Sequence, residues 1–260
     1  MSKPGFSYFE LQATWGFTKH MGGQKATAEL AEYCHLGQDS NFLVIGCGIG
    51  ASTCYLAKKL GCRGTGIDLS EGMVAWSQKR AQRAGLASQL EFKVADAQNL
   101  PFEDGAFDAV LCESVNAFIP NRARAFGEYA RVTRPGGYVG FNECTWIQPP
   151  PQELVDFVYW AMDRAVFETP ACWQVLLEQA SLTDVQAHTY KVTALRQWLD
   201  EMEQMRSGSF GETMRAWNSF FGLLFKSPEF RSYAKGLVPS PKVISTLFKC
   251  LGYTLCVGKK

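Results

Sequence analysis

The stretch from Asn41 to Asp68 constrains this chain more than any other. An apolar run, Phe42-Leu43-Val44-Ile45, breaks into Gly46-Cys47-Gly48-Ile49-Gly50. Ala51 to Leu60 then reads as a helix, and a second short run ends in an acid, Gly66-Ile67-Asp68. The physical reading is strand, glycine loop, helix, strand, carboxylate. Glycines let the backbone turn sharply and let a ligand approach without a Cβ in the way. Amides at the start of the helix face that ligand. Asp68 ends the second strand beside the loop, where a carboxylate accepts bonds from ribose hydroxyls. A G-x-G alone is more often a tight turn. An acid about 20 residues further on makes a nucleotide site the stronger reading. Which nucleotide is held stays open at this point.

The alternation continues downstream. Strands are predicted at 42–46, 64–68, 90–95, 107–113 and 137–144, with helices at 51–60, from Ser70 to about Ala84, and near Arg122 to Val132. Before them, 24–34 reads as a helix ended by Gly37, and the earliest residues carry Tyr8, Phe9, Leu11 and Trp15. This βαβα rhythm argues for a parallel sheet with helices on both faces. After Pro149-Pro150-Pro151 the pattern shifts to helices at 152–167 and 171–180 and a strand at 183–192. Residues 195–249 read as mostly helical and rich in Trp, Phe and Met. The end, Tyr253 to Gly258, reads as a strand. The expected organisation is one domain, 1–194 with 250–260, interrupted by a helical insertion at 195–249.

Composition adds exclusions. The net charge is +1, with no basic run, which argues against nucleic acid as a partner. Nine cysteines are an odd number without a C-x-x-C pair, so neither a disulfide framework nor a metal site is expected. The first residues lack an apolar signal core, and no run approaches the ~18 apolar residues of a membrane helix. A cytoplasmic protein without an integral membrane segment is expected, and a homodimer is compatible with the composition.

The order Gly46-Cys47-Gly48-Ile49-Gly50, Ile67-Asp68-Leu69-Ser70-Glu71-Gly72-Met73, Ala95-Asp96-Ala97-Gln98-Asn99-Leu100-Pro101-Phe102, Phe107-Asp108-Ala109-Val110 and Arg134-Pro135-Gly136-Gly137 resembles the class I S-adenosylmethionine-dependent methyltransferases. Within them it is most similar to the small-molecule branch acting on quinones, sterols and amines. The resemblance is specific over 42–145, loose over 146–192 and negligible over 195–249. It implies a Rossmann-like, seven-stranded, mostly parallel sheet with the last strand antiparallel. It implies S-adenosyl-L-methionine as cofactor. Gly46, Cys47, Gly48 and Gly50 would wrap the methionine half, and Asp68 would hold both ribose hydroxyls. Leu69 and Met73 would lie against the adenine, with Asp96 and the Ala97 amide at its edge. Glu113 and Ser114 would border the methionine end. One departure stands out: the family commonly has an acid two residues before the first glycine, where this chain has Val44. Glu113 or His20 are the residues placed to offset that loss.

Methyl transfer from a sulfonium is an in-line displacement, so an enzyme mainly aligns the acceptor and excludes water. A hydroxyl, carbon acid or protonated amine acceptor also needs a base. His20 is the first candidate, beside Gly22-Gly23; Glu143 and Glu113 follow, and Tyr8 would orient the acceptor. Glu113, Asn116, Asn142 and Glu143 are expected to face the acceptor. The stretch Tyr8–Gly23 and the insertion, with Trp198, Met202, Met205, Phe210, Trp217, Phe220, Phe221 and Phe225, are placed to cover it. Their apolar and aromatic character favours a small apolar or aromatic acceptor, methylated on O, N or C. Two alternatives remain beside this reading. One is a catalytically silent methyltransferase-like binding protein. The other is an NAD-dependent oxidoreductase, which shares the glycine loop and the acid but does not explain Asp96-Ala97.

Overall fold

A computed structural model describes residues 7–15, 20–193, 218 and 220–260. Its frame is one seven-stranded sheet in the order β3-β2-β1-β4-β5-β7-β6. The strands are β1 (Asn41–Ile45), β2 (Arg63–Asp68), β3 (Leu90–Val94), β4 (Phe107–Glu113), β5 (Thr133–Trp146), β6 (Thr183–Lys191) and β7 (Leu251–Lys259). β1, β2, β3, β4 and β5 pair in parallel, and β7 runs antiparallel between β5 and β6. The Rossmann-like arrangement with an antiparallel last strand is therefore present.

The strand alternation decides what packs where. Phe42 and Val44 face a core shared with α2 (Gly23–Tyr33), α3 (Ala51–Leu60) and α4 (Glu71–Arg83). Leu43 and Ile45 face the opposite core, filled by Phe126 of α5 (Arg122–Val132) and Trp173 of α7 (Pro170–Gln179). Side chains of successive strand residues leave opposite faces, so one short apolar run feeds both cores.

Several boundaries differ from expectation. Helix α2 is closed by His35 in the left-handed region (φ 51°), with the Leu36 amide donating to the Ala31 carbonyl at 3.0 Å, and not by Gly37. The expected helix 152–167 stops as α6 at Gln152–Ala161. Asp163 and Arg164 then take positive φ (44° and 68°), which a helix cannot accommodate. Strand β5 is longer than expected. It already begins at Thr133 and continues through Arg134-Pro135-Gly136-Gly137, with a register shift opposite Phe107 and Ala109.

Two further cores lie past the carboxyl end of β5. Cys144 and Trp146 pack with Leu154 and Val158 of α6 and with Cys250. Leu11 of α1 (Tyr8–Trp15) packs with Phe230 and Tyr233 of α8 (Pro228–Gly236). A last helix, α9 (Pro241–Cys250), leads into β7. Within the expected insertion, Phe220 is half-buried while Phe221 and Phe225 are exposed. Trp198, Met202, Met205, Phe210 and Trp217 lie outside the described residues.

Candidate active site

The glycine loop sits between β1 and α3, where the expected left-handed glycines are present: Gly46 (φ 62°), Gly48 (φ 54°) and Gly50 (φ 74°). A Cβ on Gly46 would collide with the Val115 side chain, and one on Gly50 would come within 2.9 Å of the Ser77 Cβ. The loop is thus shaped by what lies behind it as well as by its own torsions. Cys47 is buried, and burial pushes its thiol up to about 12, which suits a small filler beside Ser77 and not a nucleophile.

Asp68 locks the loop to the next strand. Its Oδ2 accepts from the Gly48 amide and its Oδ1 from the Ser70 amide, each at 2.9 Å. The carboxylate remains half-buried, so part of it faces out beside the loop. Burial raises its pKa, opposed by these amide bonds. Ser70 caps α4 by accepting from the Met73 amide. Met73 is buried, whereas Leu69 stands 73% exposed at the carboxyl end of β2. Beyond β3, Asp96 accepts from the Gln98 amide at 2.9 Å and leaves Ala97 buried beside it.

A polar group closes the other side of the loop. The β1–β4 register pairs Ile45 with Cys112, which brings Glu113 level with Gly46. The Thr27 hydroxyl donates to Glu113, 3.0 Å from Oε1 and 3.2 Å from Oε2. The His20 Nδ1 lies 3.5 Å from Oε1, and its Nε2 lies 3.3 Å from the Ser52 hydroxyl and 3.4 Å from that of Thr27. Each ring nitrogen of His20 therefore lies against a group on the glycine-loop side. Thr27 and Ser52 did not stand out in the sequence. Thr27 sits 1% exposed among the apolar residues of α2, and that break in the stripe is the one signal it gave. Ser114, next to Glu113, takes φ 58° and keeps a buried hydroxyl without a partner among the described residues. Such a non-glycine residue in the left-handed region is backbone strain held at a site.

Glu143 is not where the sequence reading put it. Asn142 and Glu143 are neighbours on β5, so their side chains leave opposite faces. Asn142 donates from Nδ2 to the Met21 carbonyl at 2.7 Å, anchoring the segment that carries His20. Glu143 is 1% exposed; its Oε1 accepts from the amides of Val115 (2.7 Å) and Asn116 (2.6 Å). Through these bonds it holds the turn after β4. Asn116 and Asn142 are likewise fully buried. The Tyr8 ring stacks on Phe118 (5.8 Å between centroids) and its hydroxyl accepts from Gln12 at 2.8 Å. Burial raises the Tyr8 pKa, so the phenol stays protonated.

These carboxyl ends of β1, β2, β3 and β4 share one rim, the position at which open α/β sheets hold ligands. The site suits an adenosine bearing an amino-acid tail: glycines leave room for the backbone to approach, and Asp68 offers a carboxylate between loop and strand. Residues 43–141 match the family described as a methyltransferase domain. Over that stretch the chain is similar to a methyltransferase domain. Among curated relatives, tocopherol O-methyltransferase of Arabidopsis thaliana is 31% identical over 165 residues, covering 59% of this chain and 47% of that protein. The chain likewise spans 41% and 37% of two other named relatives, so it matches less than half the length of each. Two solved structures share its fold. Haemonchus contortus phosphoethanolamine N-methyltransferase 2, in complex with S-adenosyl-L-methionine, superposes with TM-score 0.73 at 18% identity, over 97% of this chain and 57% of that one. The [4+2]-cyclase SpnF superposes with TM-score 0.72 at 18% identity, over 100% of this chain and 87% of that one.

Proposed function

We propose that the chain is an S-adenosylmethionine-dependent methyltransferase for a small, apolar or aromatic acceptor. The observation that carries this is the Asp68 carboxylate, bonded to the Gly48 amide and still partly open beside a left-handed glycine loop. When bound, the cofactor supplies an activated methyl group. Asp68 would hold the ribose hydroxyls; Leu69, Met73, Asp96 and the Ala97 amide would surround the adenine. Gly46, Cys47, Gly48, Gly50, Glu113 and Ser114 would enclose the amino-acid tail. Tyr8, Phe9 and Phe118 form an aromatic group past the end of β4, with Phe9 and Phe118 ring centroids 5.0 Å apart. Their chemistry suits alignment of an apolar acceptor and exclusion of water, which is most of what this displacement requires. The insertion, 195–249, would complete the cover. His20 remains the base candidate named by the sequence, but its contacts support a positioning role on the cofactor side.

A second reading keeps the site and drops the methyl transfer. It is supported by Val44, which replaces an acid of the resembled family, and by the cyclase fold neighbour, since fold alone does not assign chemistry. Titration calorimetry with S-adenosylhomocysteine and NADH separates the cofactor classes, and a labelled-methyl assay over amine, phenol and prenyl acceptors then separates enzyme from binder. The expected result is binding of S-adenosylhomocysteine and not NADH, lost in Asp68→Ala. Unchanged affinity in that variant would remove the site assignment.

A further inference from the structure

We infer that the helical end of the chain, residues 220–250, is a docking surface for an anionic lipid membrane. The inference does not rest on the cofactor reading above. It starts from a charge asymmetry. The whole chain has a net charge of +1, yet residues 220–250 hold five basic residues, Lys226, Arg231, Lys235, Lys242 and Lys249, against one acid, Glu229. The four lysines are exposed and pair with no acid among the described residues. Glu229 is taken up within the α8 cap, where it accepts from the Ser227 hydroxyl at 3.0 Å. The same stretch turns apolar side chains to water: Phe225 is 79% exposed, Val238 77% and Ile244 39%. Single exposed apolar residues are ordinary. Gathered beside unpaired lysines, they have the make-up of an interfacial surface.

Packing holds these residues outward. Residues 220–226 are helical, and Leu223 and Leu224 turn into the core of Leu11, Phe230 and Tyr233, leaving Phe225 outside. Leu237 packs on that core too, and Val238 beside it stays exposed. Arg231 donates from Nη1 to the carbonyls of Leu224 and Phe225, at 3.0 and 3.1 Å, which fixes Phe225 against α8. Val238 lies between Gly236 and Pro239, and both of these line a cavity of about 1100 Å³ that Phe9, Phe157 and Trp160 also line. The α6 wall of that cavity bears Glu153, Asp156 and Asp163, so the lysine-bearing side, not that wall, meets an anionic surface. A bilayer matches both features: anionic headgroups take the lysines, and the acyl boundary takes Phe225 and Val238. The cavity beside Val238 then opens close to lipid, which supplies an apolar acceptor without a passage through water.

Vesicle co-sedimentation of the full chain tests this. Wild type, Lys235→Gln with Lys242→Gln, and Phe225→Ser with Val238→Ser are compared on vesicles of phosphatidylcholine, alone or mixed two to one with phosphatidylglycerol. All four positions are exposed, and circular dichroism checks the fold of each variant. The wild type is expected to bind the mixed vesicles at least about tenfold more tightly than phosphatidylcholine alone. Neutralising the two lysines should cost roughly twentyfold on the mixed vesicles, about fivefold for each. The double serine variant should lose about tenfold there as well. Failure of the wild type to bind the mixed vesicles would overturn the proposal, including the case in which it instead forms a dimer that the double serine variant abolishes. Equal binding to both kinds of vesicle would overturn it too, as would wild-type binding in either double variant.

Discussion

Burial pushes the Glu143 carboxyl up to about 8, against the lowering pull of the Asn116 and Val115 amides and of Arg122. An unfolded glutamate titrates near 4.3, about four units lower. Between those values the folded chain keeps a proton that the unfolded chain has lost. Stability therefore falls as pH rises through that window and levels off above about pH 8. At about 1.4 kcal/mol per unit, the total is on the order of a few kcal/mol. Glu143→Gln keeps an acceptor for Val115 and Asn116 but cannot ionise. Urea unfolding at pH 6 and pH 9 should show the wild type losing a few kcal/mol more than the variant; parallel losses would mean the group is solvated. The same residue marks a limit of sequence reading. That Glu143 lies at the end of a strand is legible from the pattern. Its face depends on register, and the alternation that buries it sends Asn142 the other way.

At the scale of elements, the glycine loop depends on its backing. Gly46 sits at φ 62° against Val115, and Val115 is itself held by Glu143 through its amide. Gly46→Ala adds a strained torsion and a clash with that side chain. We expect loss of at least tenfold in S-adenosylhomocysteine affinity, about 1.4 kcal/mol, by calorimetry. Gly46→Ala with Val115→Ala should recover part of it, because the clash is relieved while the torsion remains. No recovery would assign the whole cost to the backbone. The loop, its helix and Asp68 were readable because turn chemistry and period are local. Other local signals went unused: Thr169-Pro170, Ser227-Pro228 and Ser240-Pro241 each start a helix, with the hydroxyl accepting from an amide three residues on. The last two locate α8 and α9 inside a region that composition alone describes only as mostly helical, and the first fixes the start of α7. The end of α6 carries no such signal, since nothing in Met162-Asp163-Arg164 announces positive φ.

Across the whole molecule, among the described residues, α8 packs with α1 and α6 in a core apart from the two cores on either side of the sheet, while α9 packs against the ends of β5 and β7. The seven-stranded, mostly parallel sheet with its antiparallel last strand was legible as far as the family resemblance reached. How 220–250 meets the sheet was not, because helix-on-helix contacts have no sequence period that names the partner. The contact itself is specific. Tyr233 is 1% exposed, donates to the Ala161 carbonyl at 2.6 Å and lies 5.7 Å from the Trp160 ring, while Gly236 leaves room for that indole. Tyr233→Phe keeps the ring packing and leaves a buried carbonyl without its donor, a cost of about 1–3 kcal/mol. Urea unfolding should register that loss, while S-adenosylhomocysteine affinity should stay within about twofold of wild type, since Asp68 and the glycine loop lie in other cores. If affinity falls together with stability, cover and cofactor rim form one cooperative unit, and the acceptor side cannot be altered without disturbing the methyl donor. If stability alone falls, the cover is energetically separable, and variation in α8 and α9 can change the acceptor while the donor site stays fixed.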